Sequence, residues 1–170
     1  MTTQITDADL HAALPDVETE QHLKGMVSGA NVFRDSWGIP HITAENEPDL
    51  FFAQGFVTAQ DRLFQMDYDR LRCLGRSAEY LGEVRLDEDR VMRRRALHRV
   101  SKLDLEVSSP EARAMITAYT VGVNAFIEST SSLPVEYKLL GTKPERWEDW
   151  HCLLVYNVRN TAEGSFQAKL

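Results

Sequence analysis

The sequence predicts a mainly α-helical chain with a short N-terminal β-hairpin. Two long segments, one beginning near residue 46 and one near residue 109, repeat apolar residues at helical spacing over several turns. A third stretch, NVFRDSWGIPHITA from residue 31, instead sets two short β-prone runs around a glycine-containing turn. Of the 170 residues, 43% are hydrophobic and 26% charged, the makeup of an ordinary globular segment able to bury a core.

Residues 1–25 read as a polar, acidic lead-in, in which Thr6 can cap a short helix running to Leu14 before Pro15 stops it. Val32 and Phe33 lead into Ser36-Trp37-Gly38, and Ile39-Pro40-His41-Ile42 leads out, which predicts the hairpin. Asn46 or Asp49, with Pro48 in the first turn, then starts a long helix. Its stripes are Phe52, Phe56, Ala59, Leu63 and Met66 on one side and Phe64, Tyr68 and Leu71 on another, so more than one neighbour must cover it. Gln60, Asp61 and Arg62 interrupt that pattern in mid-helix. Asp61 and Arg62 are adjacent and point apart on a helix, so each is expected to bind groups on other segments or on a second chain, with a solvated strip as the alternative.

Gly75 predicts a stop, Ser77 to Leu81 a further helical turn and Gly82 its end. Residues 84–104 predict a helix with one exposed, charged face. Ser108 and Glu111 have capping-box spacing around Pro110, and Met115, Ile116, Tyr119, Val123, Phe126 and Ile127 continue a helix until the serine-rich run 129–132. Leu133 to Trp147 predicts a proline-punctuated connection, followed by a last helix from about Glu148. No repeat and no long linker divides the chain into two domains.

Charge and motif content narrow the chemistry. A net charge of −7 argues against nucleic acid or an anionic membrane as partner, and Arg93-Arg94-Arg95 lies close enough to Asp87-Glu88-Asp89 to form an ion-paired face. Cys73 and Cys152 sit in apolar helical patterns and need no disulfide. The first residues lack a signal-peptide pattern and no run is apolar enough to span a bilayer, which predicts a cytoplasmic protein, or a periplasmic one if a leader was removed. No nucleophile elbow, phosphate loop, dinucleotide fingerprint or HExxH motif occurs. His151 and Cys152 are adjacent and make a poor pair of metal ligands, and Asp35 with His41 reads as a local hydrogen bond across the hairpin. The residues alone therefore describe a helical chain with broad buried faces and no catalytic residue of its own.

The run VFRDSWGIPHITAENEPDLFFAQGFVTAQDRLFQMDYDRLRCLGRSAEYLG, residues 32–82, closely resembles the opening of the α (light) chain of the penicillin acylase family of N-terminal-nucleophile hydrolases. The matching features are RD followed by GIPHI, then DLFFAQGF, AQDRLFQMD and GRSAEYLG, in the family's order. SPEARAMITAYTVGVNAFI and LPVEYKLLGTKPERWEDW also resemble family segments, so the likeness covers residues 30–160 and leaves the lead-in outside. The resemblance implies that residues 1–170 form one α-subunit segment of a two-chain domain. Its partner is a β (heavy) chain cut from the same precursor, and together they make a shared four-layer αββα sandwich. The implied substrate is a small N-acyl amide, attacked by the N-terminal serine of the β chain.

The resemblance also carries site residues. In members of that family the last α-chain helix closes one side of the acyl pocket, and VYNVRN places Tyr156, Arg159 and Asn160 at the contacting positions. Tyr156 and Asn160 stand where an apolar lining would be, which suits a polar or substituted aromatic acyl group. The competing reading makes Tyr156 and Arg159 packing and capping residues of the helix end. A calcium ion between the chains is implied as well. The family's glutamate aligns near Gln167 or Lys169, with Glu163 a few residues early, and losing a carboxylate weakens such a site. Gly164-Ser165 looks like the family's cleavage point, but Phe166 follows where the family has Asn, so Gly164 is expected to end the helix or enter a loop. The alternative to an amidohydrolase subunit is a stand-alone, non-catalytic helical interaction protein.

Overall fold

A computed structural model describes residues 4–167, with side chains described over residues 4–160. The chain divides into two compact units. One holds the chain up to Phe64 together with Pro110–Trp147, and the other holds Gln65–Ser109 and the segment from Glu148 onward.

In the first unit, helix α1 (Asp7–Ala12) begins at the Thr6 cap, whose hydroxyl accepts the Asp9 N–H while Asp9 accepts the Thr6 N–H in return. Strands β1 (Ala30–Arg34) and β2 (Pro40–Ala44) pair antiparallel with Val32 opposite Ile42. The turn between them needs a left-handed residue and finds it in Gly38, φ +76°. Helix α2 (Glu47–Leu74) starts at Asn46, whose amide oxygen accepts the Asp49 N–H at 2.8 Å. Asp49 is not the cap. It is fully buried, and its carboxylate accepts the N–H groups of Val27 and Ser28 at 2.7 Å and of Gly29 at 3.0 Å. Those three bonds hold the end of the lead-in against α2 and keep the Asp49 carboxyl down at about 2.

Phe52, Phe56, Ala59 and Leu63 of α2 are buried as the stripe predicts, against Val123 and Phe126 of helix α6 (Pro110–Ser129). Phe56 and Phe126 meet edge to face at 5.6 Å. The two backbones approach so closely that a Cβ on Gly55 would lie 2.0 Å from the Tyr119 carbonyl oxygen, and one on Gly122 2.0 Å from that of Phe52. Glycine is what lets these helices cross. Ser108 donates its hydroxyl to the Asp104 carbonyl, and because α6 begins at Pro110 the residue flanking its start is Ser109 instead of the predicted Ser108. The connection 133–147 is not all loop: helix α7 (Val135–Leu140) occupies part of it, with buried Tyr137 edge to face on Phe64 at 5.4 Å.

In the second unit, Gly75 closes α2 at φ +68°, and α3 (Ala78–Leu81) is one turn long. The α3 start is capped from a distance by buried Asp89, which accepts the Ser77 and Ala78 N–H groups at 2.9 and 2.7 Å. The predicted single helix over 84–104 is instead a 3-10 turn at Glu83–Arg85 followed by α4 (Leu86–Arg95) and α5 (Leu97–Val107). Ala96 breaks it in a left-handed conformation, φ 51° and ψ 33°. Helix α8 (Asp149–Gln167) packs along α5, and it runs through Gly164, which neither ends the helix nor enters a loop. Neither Cys73 nor Cys152 is in a disulfide. Among the described residues, no helix is long and apolar enough to cross a membrane.

Candidate functional site

The charged centre of α2 is explained within the first unit. Arg34, the last residue of β1, reaches Asp61 with Nη2 at 2.7 Å and Nη1 at 3.2 Å, and gives another N–H to the Gln60 amide oxygen at 2.9 Å. Gln60 in turn donates to the Asp16 carbonyl of the lead-in at 2.9 Å. Gln60 and Asp61 therefore tie hairpin and lead-in to the same point on the helix. Asp61 binds a neighbouring segment as expected. Arg62 does not: it is exposed, has no bond or ion pair among the described residues, and its φ of −152° and ψ of 35° interrupt the helix there. A second buried charge group lies further on, where Arg70 and Tyr80 both bind Asp67, the Arg70 Nε at 2.9 Å and the Tyr80 hydroxyl at 2.8 Å. Because Asp67 and Arg70 are nearly fully buried together, the pair is tolerable where either alone would not be.

The predicted acyl-side residues lie on α8. In the first turn of that helix lies buried His151, whose Nδ1 accepts the Glu148 N–H at 2.9 Å. Leu154 is fully buried, and Asn157 donates to Ser101 Oγ at 3.2 Å and to Asp104 at 2.7 Å, which fixes the rotation of α8 on α5. Tyr156, Arg159 and Asn160 then share an exposed stripe at i, i+3 and i+4, with Tyr156 63% exposed. The stripe is not wholly neutral side chains in water. Arg159 Nη2 donates to the Asp69 carboxylate on α2, a partner that the sequence reading missed. Asp69 is half-buried between Tyr68 and Arg70, and no signal in the sequence pairs it with Arg159.

One turn on from Asp69, the Cys73 thiol is pushed up to about 12, chiefly by burial and then by the Asp69 charge, so at neutral pH it packs as a neutral thiol. The Asp35–His41 contact, 3.2 Å, is the local bond expected, with the same carboxylate also accepting the Trp37 and Ile39 N–H groups in the turn. The side chain of Gln167, the calcium candidate, lies outside the described residues, as do those of Glu163 and Lys169. Among the described residues, no three His, Cys, Asp or Glu side chains converge as a metal site.

The family model described as penicillin amidase matches residues 29–170. The chain belongs to the penicillin amidase family. Relatives within it include the Penicillin acylase 2 proenzyme of Pseudomonas sp. (strain SE83), 45% identical over 161 residues, covering 95% of this chain and 21% of that protein. Penicillin G acylase of Escherichia coli is 33% identical over 134 residues, covering 76% of this chain and 16% of that one. The acyl-homoserine lactone acylase QuiP of Pseudomonas fluorescens (strain Pf0-1) is 34% identical over 153 residues, with 89% and 19% covered. This family member thus spans about a fifth of the length of the curated relatives it matches. Among solved structures, a thermostable penicillin G acylase from Alcaligenes faecalis superposes with a TM-score of 0.70 at 29% identity, over 77% of this chain and 71% of that chain.

Proposed function

We propose that this chain is the α subunit of a two-chain amidohydrolase that cleaves the amide bond of a small N-acyl substrate through an acyl-enzyme on the N-terminal serine of a β chain. The observation that carries the reading is a contrast of lengths. The chain covers 71% of the solved penicillin G acylase chain but only 16–21% of the relatives, one of which is called a proenzyme. A short chain and a long remainder from one precursor account for both. The stand-alone alternative has no comparable support, because the family match extends over residues 29–170.

In this reading the β-chain serine Oγ attacks the amide carbonyl carbon while the same residue's free α-amino group takes its proton. An α-amine has an unperturbed pKa of about 7.7–8.0 and is partly neutral near pH 8. The proton passes to the departing amine, the acyl-oxygen ester remains, and water then releases the acid. This chain supplies walls and scaffold. Tyr156 and Asn160 present a phenol and an amide on one stripe of α8, which suits an acyl group that can hydrogen-bond. In the proposed two-chain sandwich, β-chain strands cover the hairpin, whose exposed Phe33 (67%) and Trp37 (87%) support this reading. A calcium ion between the chains belongs to the same proposal only so far as Gln167 gives one amide oxygen; the described residues do not complete a site, and no step depends on it.

N-terminal sequencing of the purified native protein tests the proposal. A second, heavier chain beginning with Ser is expected, and its replacement by Ala should lower amide hydrolysis by at least about 10⁴-fold. Hydrolysis that survives that replacement contradicts the mechanism.

A further inference from the structure

The Arg159–Asp69 pair deepens the proposed function and rests on it. If α8 walls the acyl pocket, the charge of that wall is set by a residue on another helix. Tyr156 and Asn160 are neutral, so Arg159 is the one charged member of the predicted stripe. Its guanidinium is engaged by Asp69, which is the more enclosed partner, 23% exposed against 61% for Arg159. A carboxylate held on α2 and a cation at the end of a long, mobile side chain make Asp69 the fixed member of the pair. The next cations along α2 do not compensate, because Arg70 is bound by Asp67 and Arg72 by Glu88. With Asp69 in place the wall carries no net charge; without it, the wall carries one free positive charge.

We infer that Asp69 is a positioning residue, acting through Arg159, that neutralises the acyl side of the pocket and disfavours acyl chains ending in a carboxylate. Such a chain must compete with Asp69 for the same guanidinium, whereas an uncharged hydrogen-bonding chain need not. The surface location does not undermine this. An exposed pair contributes little to stability, but a specificity ratio responds to the charge that the substrate meets.

The test uses the assembled enzyme matured from its whole precursor and two chromogenic amides of equal length, one acyl chain ending in a carboxylate and the other in a primary carboxamide. Asp69→Asn should raise the kcat/KM ratio of carboxylate to carboxamide by about tenfold, mainly through KM. The gain should shrink in about 0.5 M salt, disappear when Arg159→Gln is added, and be absent in Asp69→Glu. A structural role alone would lower both substrates together and leave the ratio and its salt dependence unmoved. That result, with both amides still cleaved, overturns the inference. Failure of the assembled enzyme to cleave any N-acyl amide overturns the proposed function, and this with it. Should Asp69→Asn not mature, Asp69→Ser, likewise uncharged, takes its place: the same rise in the carboxylate-to-carboxamide ratio supports the inference, and an unmoved ratio with both amides still cleaved overturns it.

Discussion

Asp49 shows how one side chain organises a segment that has little order of its own. Residues 26–29 have few apolar groups to bury, yet three successive backbone N–H groups converge on a single carboxylate that Asn46 also contacts at 2.8 Å. Those bonds favour the ionised form, so the folded-state pKa of about 2 lies below the ordinary 3.8. A lowered pKa stabilises the fold fully above about pH 4, and the contribution is lost as pH falls through about 2. Asp49→Asn keeps an acceptor oxygen but does not titrate. Its stability deficit relative to the parent, followed by circular dichroism at constant ionic strength, should be constant above about pH 4 and shrink toward pH 2. A deficit that is flat over that window would show that the carboxylate's charge is not what holds the lead-in.

Among the elements, those with local punctuation were legible. Thr6, Gly38, Asn46, Gly75, Gly82 and Pro110 each lie at a boundary that the structure shares, because caps and left-handed turns depend on nearest neighbours. The break at Ala96 was not legible. Alanine is the best helix former and nothing beside it is glycine or proline, while the bonds that hold α5 on α8, from Asn157 to Ser101 and Asp104, join residues more than fifty apart. Tyr156, Arg159 and Asn160 were named from the family resemblance, while Asp69 was hidden because its partner lies ninety residues away. Ala96→Gly separates the two descriptions of 84–104. A left-handed alanine costs about 1–2 kcal/mol, so glycine should leave stability unchanged or raise it by up to about 1 kcal/mol in denaturant unfolding. In one continuous helix the same change would cost about 1 kcal/mol.

At the scale of the whole molecule, several large apolar side chains are exposed together on one element. The two-stranded hairpin has no further strand among the described residues, and Phe33, Trp37 and Ile39 are exposed on it. Such a hairpin is marginal in water, yet Arg34 fixes it to α2 through Asp61 and Gln60, so it is held ready and left uncovered. Arg62 is a free cation among the described residues at an interruption of the same helix. Family membership accounts for the helices, and in the proposed reading the chemistry resides on a second chain, which leaves scaffold and no reactive group to this one. The most direct measurement compares amide hydrolysis by this chain alone, by the remainder of its precursor alone, and by the two together. Turnover only in the combined sample, with the two chains co-eluting as one complex, is the predicted result; turnover by this chain alone would contradict it.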